Sequence, residues 1–245
     1  MKKIIHNYSN LAGQIVHWDT SDNQEGYERN LKDAVTKQRL TELGWVDTDI
    51  EYRYNSYGFR TEEFDRQFDV VCFGCSFTMG TGVPVQDTWP AQLQQKIGLK
   101  TANLGHAGSS NDTAFRFAEH YLRHLKPKFA IWLQTDMHRI EIMDDAIPLC
   151  TNILASDTSN PFARDQFVKT WFSSLSNQIL NQKKNSWAFQ HLCRTLNITP
   201  LIFSRDHISS GLYPYGAARD LRHPGRDDYS KLVQHIMTAL DQLSD

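Results

Sequence analysis

The chain has little net charge. Its 26 basic residues stand against 28 acidic ones, a balance of -2 over 245 residues. That excludes the one-sided positive field with which proteins grip a nucleic-acid backbone. No apolar run approaches the ~20 residues that span a bilayer. The start, Met1-Lys2-Lys3-Ile4-Ile5-His6-Asn7, has the basic residues of a signal peptide without an apolar stretch behind them. The expectation is a cytoplasmic protein with neither a membrane nor a nucleic-acid partner. Cysteine is scarce too: Cys72, Cys75, Cys150 and Cys193 are too few to staple a chain of this length. Cys72-Phe73-Gly74-Cys75 spells the C-x-x-C of thiol redox proteins, whose first cysteine stands exposed at a helix N-terminus. Here Cys72 lies inside an apolar run, and glycines rather than a helix follow Cys75. No internal repeat or low-complexity tract interrupts the chain, and its length suits one domain with additions or two small ones.

What is present is organised around Asp69-Val70-Val71-Cys72-Phe73-Gly74-Cys75-Ser76-Phe77-Thr78-Met79-Gly80-Thr81-Gly82. The apolar run reads as a strand buried on both faces. The glycines beyond it read as a sharply turning loop. Ser76 therefore falls at the C-terminal edge of a strand, where open α/β sheets hold ligands and chemistry. A turn-capping serine is the competing reading.

Residues 1–23 are polar and aperiodic. Composition predicts a helix over about Glu25–Leu43, with Gly44 as its C-cap. Asp49–Asn55 alternates as a half-buried strand, and Asn55–Arg60 supplies turn residues. The composition shift near Phe64–Phe68 separates an N-terminal extension, 1–65, from a main domain, 66–245. In that domain Asp87-Thr88-Trp89-Pro90 opens a helix with Trp89, Leu93 and Ile97 inward. A strand follows at Leu99–Leu104. Ser110, Asn111 or Asp112 can cap the next helix, whose Ala114, Phe117, Ala118, Tyr121, Leu122 and Leu125 keep the helical period. Phe129–Leu133 is a third buried strand, followed by the polar loop Gln134–Arg139. Residues 144–163 read as an irregular insertion. The long helical stretch after it is expected to break near Asn181–Ser186, with Phe167, Trp171, Leu175 and Ile179 inward. Leu201–Phe203 is a fourth strand, 205–219 a loop, and the segment after His223-Pro224-Gly225 a closing helix. Strands alternating with helices imply a parallel sheet covered on both faces.

Four polar segments thus gather at one sheet edge: the Ser76 loop, Gly105–Asn111, Gln134–Arg139 and Asp220-Leu221-Arg222-His223. A serine hydroxyl needs a base within hydrogen-bond reach, itself oriented by a third group. Asp220 and His223, three residues apart before a helix, can supply both. They could instead cap that helix. His120 and His124 have the i, i+4 spacing of a metal pair, but no third ligand is placed by the sequence, and no metal or cofactor is expected. Arg139 suits a substrate carboxylate or phosphate, or else pairs with Glu141.

These segments resemble the GDSL-type, or SGNH, hydrolase superfamily. Gly74-Cys75-Ser76-Phe77-Thr78 is similar to its first block, usually Gly-Asp-Ser. Asn103-Leu104-Gly105-His106-Ala107-Gly108 is similar to the second, Gln134-Thr135-Asp136 stands where Gly-x-Asn-Asp would be, and Asp220-x-x-His223 matches the last. The resemblance covers roughly 66–245, and Asn55–Arg60 resembles a lead-in found in some members. It implies a flavodoxin-like three-layer α/β/α sandwich with a central parallel sheet. It also implies Ser76 as nucleophile, His223 as base and Asp220 as its orienter, with oxyanion donors from the N–H groups of Ser76 and Gly108 and a side chain of the third block. Cys75 replaces the usual aspartate, and Thr135 stands where the family has an asparagine, so either Thr135 or Gln134 would have to serve. Asn111, His138 and Arg139 are candidate substrate contacts.

The expected activity is that of a serine esterase or deacylase. It would act through an acyl-enzyme on a small ester, with an O-acetyl on a sugar or other polar carrier suggested by the resemblance. An acyltransferase using the same residues, and a carbohydrate- or partner-binding module on the same fold, are the rivals.

Overall fold

Alternation governs the first quarter of the chain: Ile50, Tyr52 and Tyr54 are buried while Glu51 and Arg53 are exposed. The computed structural model describes residues 9–144, 149–153, 166–208 and 217–243. A helical turn, Ser9–Leu11, leads into strand β1, Ile15–Val16. The expected helix over 25–43 is two helices, α1 (Gln24–Lys32) and α2 (Ala34–Glu42). Asp33 divides them. Its backbone is extended and its carboxylate accepts the Thr36 N–H at 2.9 Å, so a strong N-cap overrides a stretch of good helix formers. The expected strand over 49–55 shortens to β2, Tyr52–Arg53, antiparallel to β1. Its inward face joins the main core: Leu40, Trp45, Ile50, Tyr52 and Tyr54 pack in one cluster with Val70 and Cys72.

Strand β3, Val70–Gly74, is buried throughout. A single helical turn, α3 (Ser76–Met79), follows it directly, so a helix does follow Cys75 and the glycines come after it. Helix α4 (Trp89–Ile97) is capped by Thr88, with Pro90 in its first turn, and leads to strand β4, Thr101–Gly105. Ser110 caps helix α5 (Asn111–Leu125), which gives way to strand β5, Phe129–Leu133. The insertion expected to be irregular over 144–163 contains β7 (Leu149–Ile153), which pairs antiparallel with β6 (Ile140–Asp144) just ahead of it, from Ile140–Ile153 to Asp144–Leu149. Five-residue alternations on either side of Pro148 are too short to stand out from sequence. Residues 145–148 and 154–163 lie outside the described residues.

Helix α6 (Gln166–Ser173) and helix α7 (Leu175–Thr195) break at Ser174, and α7 runs unbroken through Asn181–Ser186. Tertiary bonds hold those poor helix formers: Asn181 and Asn185 both donate to Asp112 Oδ1, at 2.9 and 2.7 Å. The inward face of α7 is Asn185, Phe189, Leu192 and Cys193. Leu175 and Ile179, expected inward, are 57% and 38% exposed, Trp171 is half-buried, and the Phe167 side chain lies outside the described residues. Strand β8 (Thr199–Phe203) and helix α8 (Arg226–Asp241) complete the chain.

β3, β4, β5 and β8 form one parallel sheet in the order β4-β3-β5-β8. Strand alternation sorts the core. Val70, Cys72, Ile131 and Leu133 pack with α4 and α8 on one face; Val71, Phe73, Ala130 and Trp132 pack with α5 and α7 on the other. This is a flavodoxin-like three-layer α/β/α sandwich. The chain passes from β3 outward to β4 and then back across to β5, which makes the carboxyl ends of β3 and β5 the topological switch point. No helix among the described residues is long and apolar enough to cross a membrane.

Candidate active site

Two glycines bring the serine turn down onto the sheet edge. A Cβ at Gly74 would stand 2.2 Å from Thr78 Oγ1 and 2.7 Å from the Leu133 carbonyl oxygen; one at Gly105 would stand 2.3 Å from the Met79 nitrogen. Only glycine allows α3 to sit this close to β4 and β5. The carbonyls at the far end of α3 are taken by two buried side chains. Asn103 donates to the Thr78 carbonyl at 2.8 Å, and Arg60 donates to the carbonyls of Gly80 at 2.7 Å and Val83 at 3.0 Å. Asn55, in turn, accepts the N–H groups of Tyr57 and Phe59, both at 3.0 Å, to build the bend that delivers Arg60. Ser76, the first residue of α3, has no turn behind it to accept its N–H.

The hydroxyl of Ser76 lies 2.8 Å from His223 Nε2, and His223 Nδ1 lies 2.6 Å from Asp220 Oδ2. An ionised carboxylate only accepts, so Nδ1 carries the proton and Nε2 is left to accept from Ser76. Asp220 Oδ1 takes the N–H groups of Arg222 and His223, each at 3.0 Å. Burial works to raise the Asp220 pKa, but the His223 contact, a hydrogen bond from Ser21 and the Arg222 N–H outweigh it and hold the carboxyl below its ordinary value. The phenyl ring of Phe77 stands edge-on to the imidazole at 5.4 Å. Asp220 and His223 do not cap the last helix: Gly225 is its N-cap, and Asp228 takes the Gly225 N–H at 3.1 Å.

The second and third loops are fastened to this centre. The His106 N–H and Ser109 Oγ both donate to the Gly74 carbonyl, at 3.0 and 3.2 Å. Gly108 has φ +75 and is the exposed residue of its loop, with open space where a Cβ would stand. Asn111 grips the Thr135 backbone twice: its Nδ2 donates to the carbonyl at 3.1 Å and its Oδ1 accepts the N–H at 3.0 Å. The side chain expected to touch substrate is therefore occupied in holding the third loop. Thr135 Oγ1 is buried and has no hydrogen-bond partner among the described residues. Gln134 turns instead toward α7, where its Nε2 donates to Ser186 Oγ at 2.7 Å and its Oε1 accepts from Gln182 at 3.1 Å.

Arg139 pairs with Asp136 at 3.4 Å and not with Glu141, which belongs to Arg116 at 2.7 Å. Asp136 also receives Arg205 at 2.5 Å, and the Arg205 guanidinium lies 4.3 Å over the Phe77 ring. His138 is half-exposed beside them. His120 stacks edge-on to Tyr121 and lies 5.9 Å, ring to ring, from His124. Cys72 is fully buried in β3, and burial pushes its thiol well up. Sequence reasoning missed Ser21, Asp22, Arg60 and Arg219 as parts of this site. The one available signal was Arg60, which closes the Asn55–Arg60 segment.

No protein-family model matches the chain, and neither does any curated protein. Solved structures similar to it include a candidate lipolytic protein of the G-D-S-L family from Desulfitobacterium hafniense, 12% identical over 71% of this chain and 73% of that one, TM-score 0.38. A candidate GDSL-like lipase from Bacteroides ovatus is 14% identical, with 78% of this chain and 55% of that one covered and a TM-score of 0.38. A member of the lipolytic G-D-S-L family from Veillonella parvula is 15% identical over 69% of this chain and 96% of that one, TM-score 0.37.

Proposed function

We propose that the protein is a serine ester hydrolase working through an acyl-enzyme. The observation that carries this is the continuous run of hydrogen bonds from Ser76 Oγ through His223 to Asp220, at 2.8 and 2.6 Å, on the edge of the sheet's switch point. In the reaction, Ser76 Oγ bonds to the ester carbonyl carbon while its proton passes to His223 Nε2. The imidazolium so formed is held by the ionised Asp220. It then gives the proton to the departing alkoxide as the carbon–oxygen bond breaks. Water enters and repeats the sequence in reverse, releasing the acid and restoring Ser76.

Charge on the carbonyl oxygen would be met by the N–H groups of Ser76 and Gly108 and by the Thr135 hydroxyl. Thr135 suits that role because its oxygen is buried and has no hydrogen-bond partner among the described residues; Gln134 does not, since its amide is engaged on both sides. Ser76 is only 6% exposed, which favours a small acyl group such as acetyl. Arg139 and Arg205 share the single carboxylate of Asp136.

The test is intact-mass labelling with a fluorophosphonate, which reads an activated serine without a choice of substrate. Stoichiometric labelling of wild type at Ser76, abolished in Ser76→Ala and His223→Ala, is the expected result. A folded wild type that takes up no label overturns the reading.

A further inference from the structure

The catalytic aspartate has a second partner from the far end of the chain. Ser21 Oγ donates to Asp220 Oδ2 at 2.7 Å, the same oxygen that faces His223 Nδ1, and lies 3.4 Å from Nδ1 itself. The contact is built, not incidental. Residues 19–22 form a tight turn closed by backbone bonds in both directions, Asp19 N–H to the Asp22 carbonyl at 2.8 Å and Asp22 N–H to the Asp19 carbonyl at 3.0 Å. Thr20 accepts a left-handed φ of +51 within it, a conformation that non-glycine residues rarely hold without compensation. Tyr54 fastens Asp19, and the Tyr52 hydroxyl donates to Asp22 at 2.6 Å.

The next rung fixes the register. Arg219 donates to both oxygens of Asp22, at 2.9 and 2.8 Å, so the neighbours Ser21 and Asp22 bind the neighbours Asp220 and Arg219. Behind Ser21 lies a polar cavity of about 190 Å³ that also reaches Asp220 and Arg222.

We infer that Ser21 is a positioning residue of the active site, a fourth member of the Ser76–His223–Asp220 relay contributed by the N-terminal segment. It acts through Asp220. By occupying one lone pair of Oδ2, it fixes the carboxylate plane against Nδ1 and so aims Nε2 at Ser76. Its catalytic meaning rests on the esterase reading, whereas the contact itself does not.

The experiment compares full-length wild type, Ser21→Ala and Ser21→Thr, with folding matched by circular dichroism and melting. One readout is the rate of fluorophosphonate labelling at Ser76. The other is the downfield proton resonance of His223 Nδ1, which needs no turnover. In Ser21→Ala labelling is expected to slow about tenfold, the loss of one hydrogen bond to a charged group. Cavity water replaces the hydroxyl loosely, so Oδ2 becomes the better acceptor for Nδ1 and the resonance moves further downfield. Ser21→Thr, which keeps the hydroxyl, restores both. An unmoved resonance, an unchanged labelling rate in an active protein, or a slowing that threonine does not rescue overturns the inference. A wild type that fails to label overturns the esterase reading alone, because the resonance still reports whether Ser21 acts on the His223–Asp220 pair.

Discussion

Arg219 and Asp22, 197 residues apart in the chain, meet as a two-bonded ion pair with side chains 2% and 1% exposed. Arg219 also donates to the carbonyls of Thr48 and His17, each at 2.9 Å, and lies 4.0 Å over the Trp18 ring. Four of its N–H groups are engaged in this way. A buried pair of this kind stabilises little relative to an apolar replacement, but it is costly to break from one side.

Arg219→Met, which strands a buried carboxylate, is expected to lower the unfolding free energy by about 3–5 kcal/mol. Asp22→Leu with Arg219→Met should cost less than the two single changes added together. Urea unfolding of the three variants measures the coupling. Because Ser21 and Asp220 flank the pair, Arg219→Met should also slow fluorophosphonate labelling more than any surface arginine change does.

Thr135→Val separates function from stability. The hydroxyl it removes has no hydrogen-bond partner among the described residues. Its loss should therefore leave the melting temperature unchanged or slightly raised, since an unsatisfied buried hydroxyl costs about 1–3 kcal/mol. The same change should lower kcat about a hundredfold with KM little altered, the signature of an oxyanion donor. Ester hydrolysis and melting, measured on one preparation, give both answers, and an unchanged kcat removes Thr135 from the site.

Gly105→Ala and Gly108→Ala are expected to differ in kind. The added Cβ at Gly105 runs into the backbone of Met79 and Thr78, at 2.3 and 2.6 Å. Overpacking there should cost about 1–3 kcal/mol and displace the serine turn, abolishing labelling. At Gly108 the space is open and only the left-handed backbone resists, for about 1–2 kcal/mol. Labelling by Gly108→Ala should survive in part.

Asp220 ties stability to pH. Its pKa in the folded protein lies below the ordinary value of 3.8. The stability it contributes is therefore fully present above that value and is lost as pH falls through and below it. Asp220→Asn should destabilise the protein near neutrality, and the difference from wild type should shrink as the pH drops below 3.8. Urea titrations at stepped pH test the sign directly.

Ser76, Asp220 and His223 stand out in the sequence because each sits in a short polar block just past an apolar run or just before a helix, and the fold brings the three within hydrogen-bond distance; Gly108 and Thr135 are singled out by the family resemblance alone. The sheet was legible from those same apolar runs. Ser21 was not, since its partner stands 199 residues away and the turn that presents it has no periodicity. Asn181 and Asn185 misled in the opposite direction: intrinsic propensity argues for a helix break, but the carboxylate of Asp112 on α5 supplies the bonds that remove it. Asp33 is a case where one side chain's capping bond divides what composition joins.

The separation of 147 positions between Ser76 and His223 sets an order of events during synthesis. The serine turn and its strand leave the ribosome long before the imidazole that bonds to Ser76 is made. On the proposed reading, Ser76 is an ordinary alcohol until residue 223 has emerged and docked beside it. A growing or interrupted chain is then chemically silent toward esters, and reactivity appears only once the two have met.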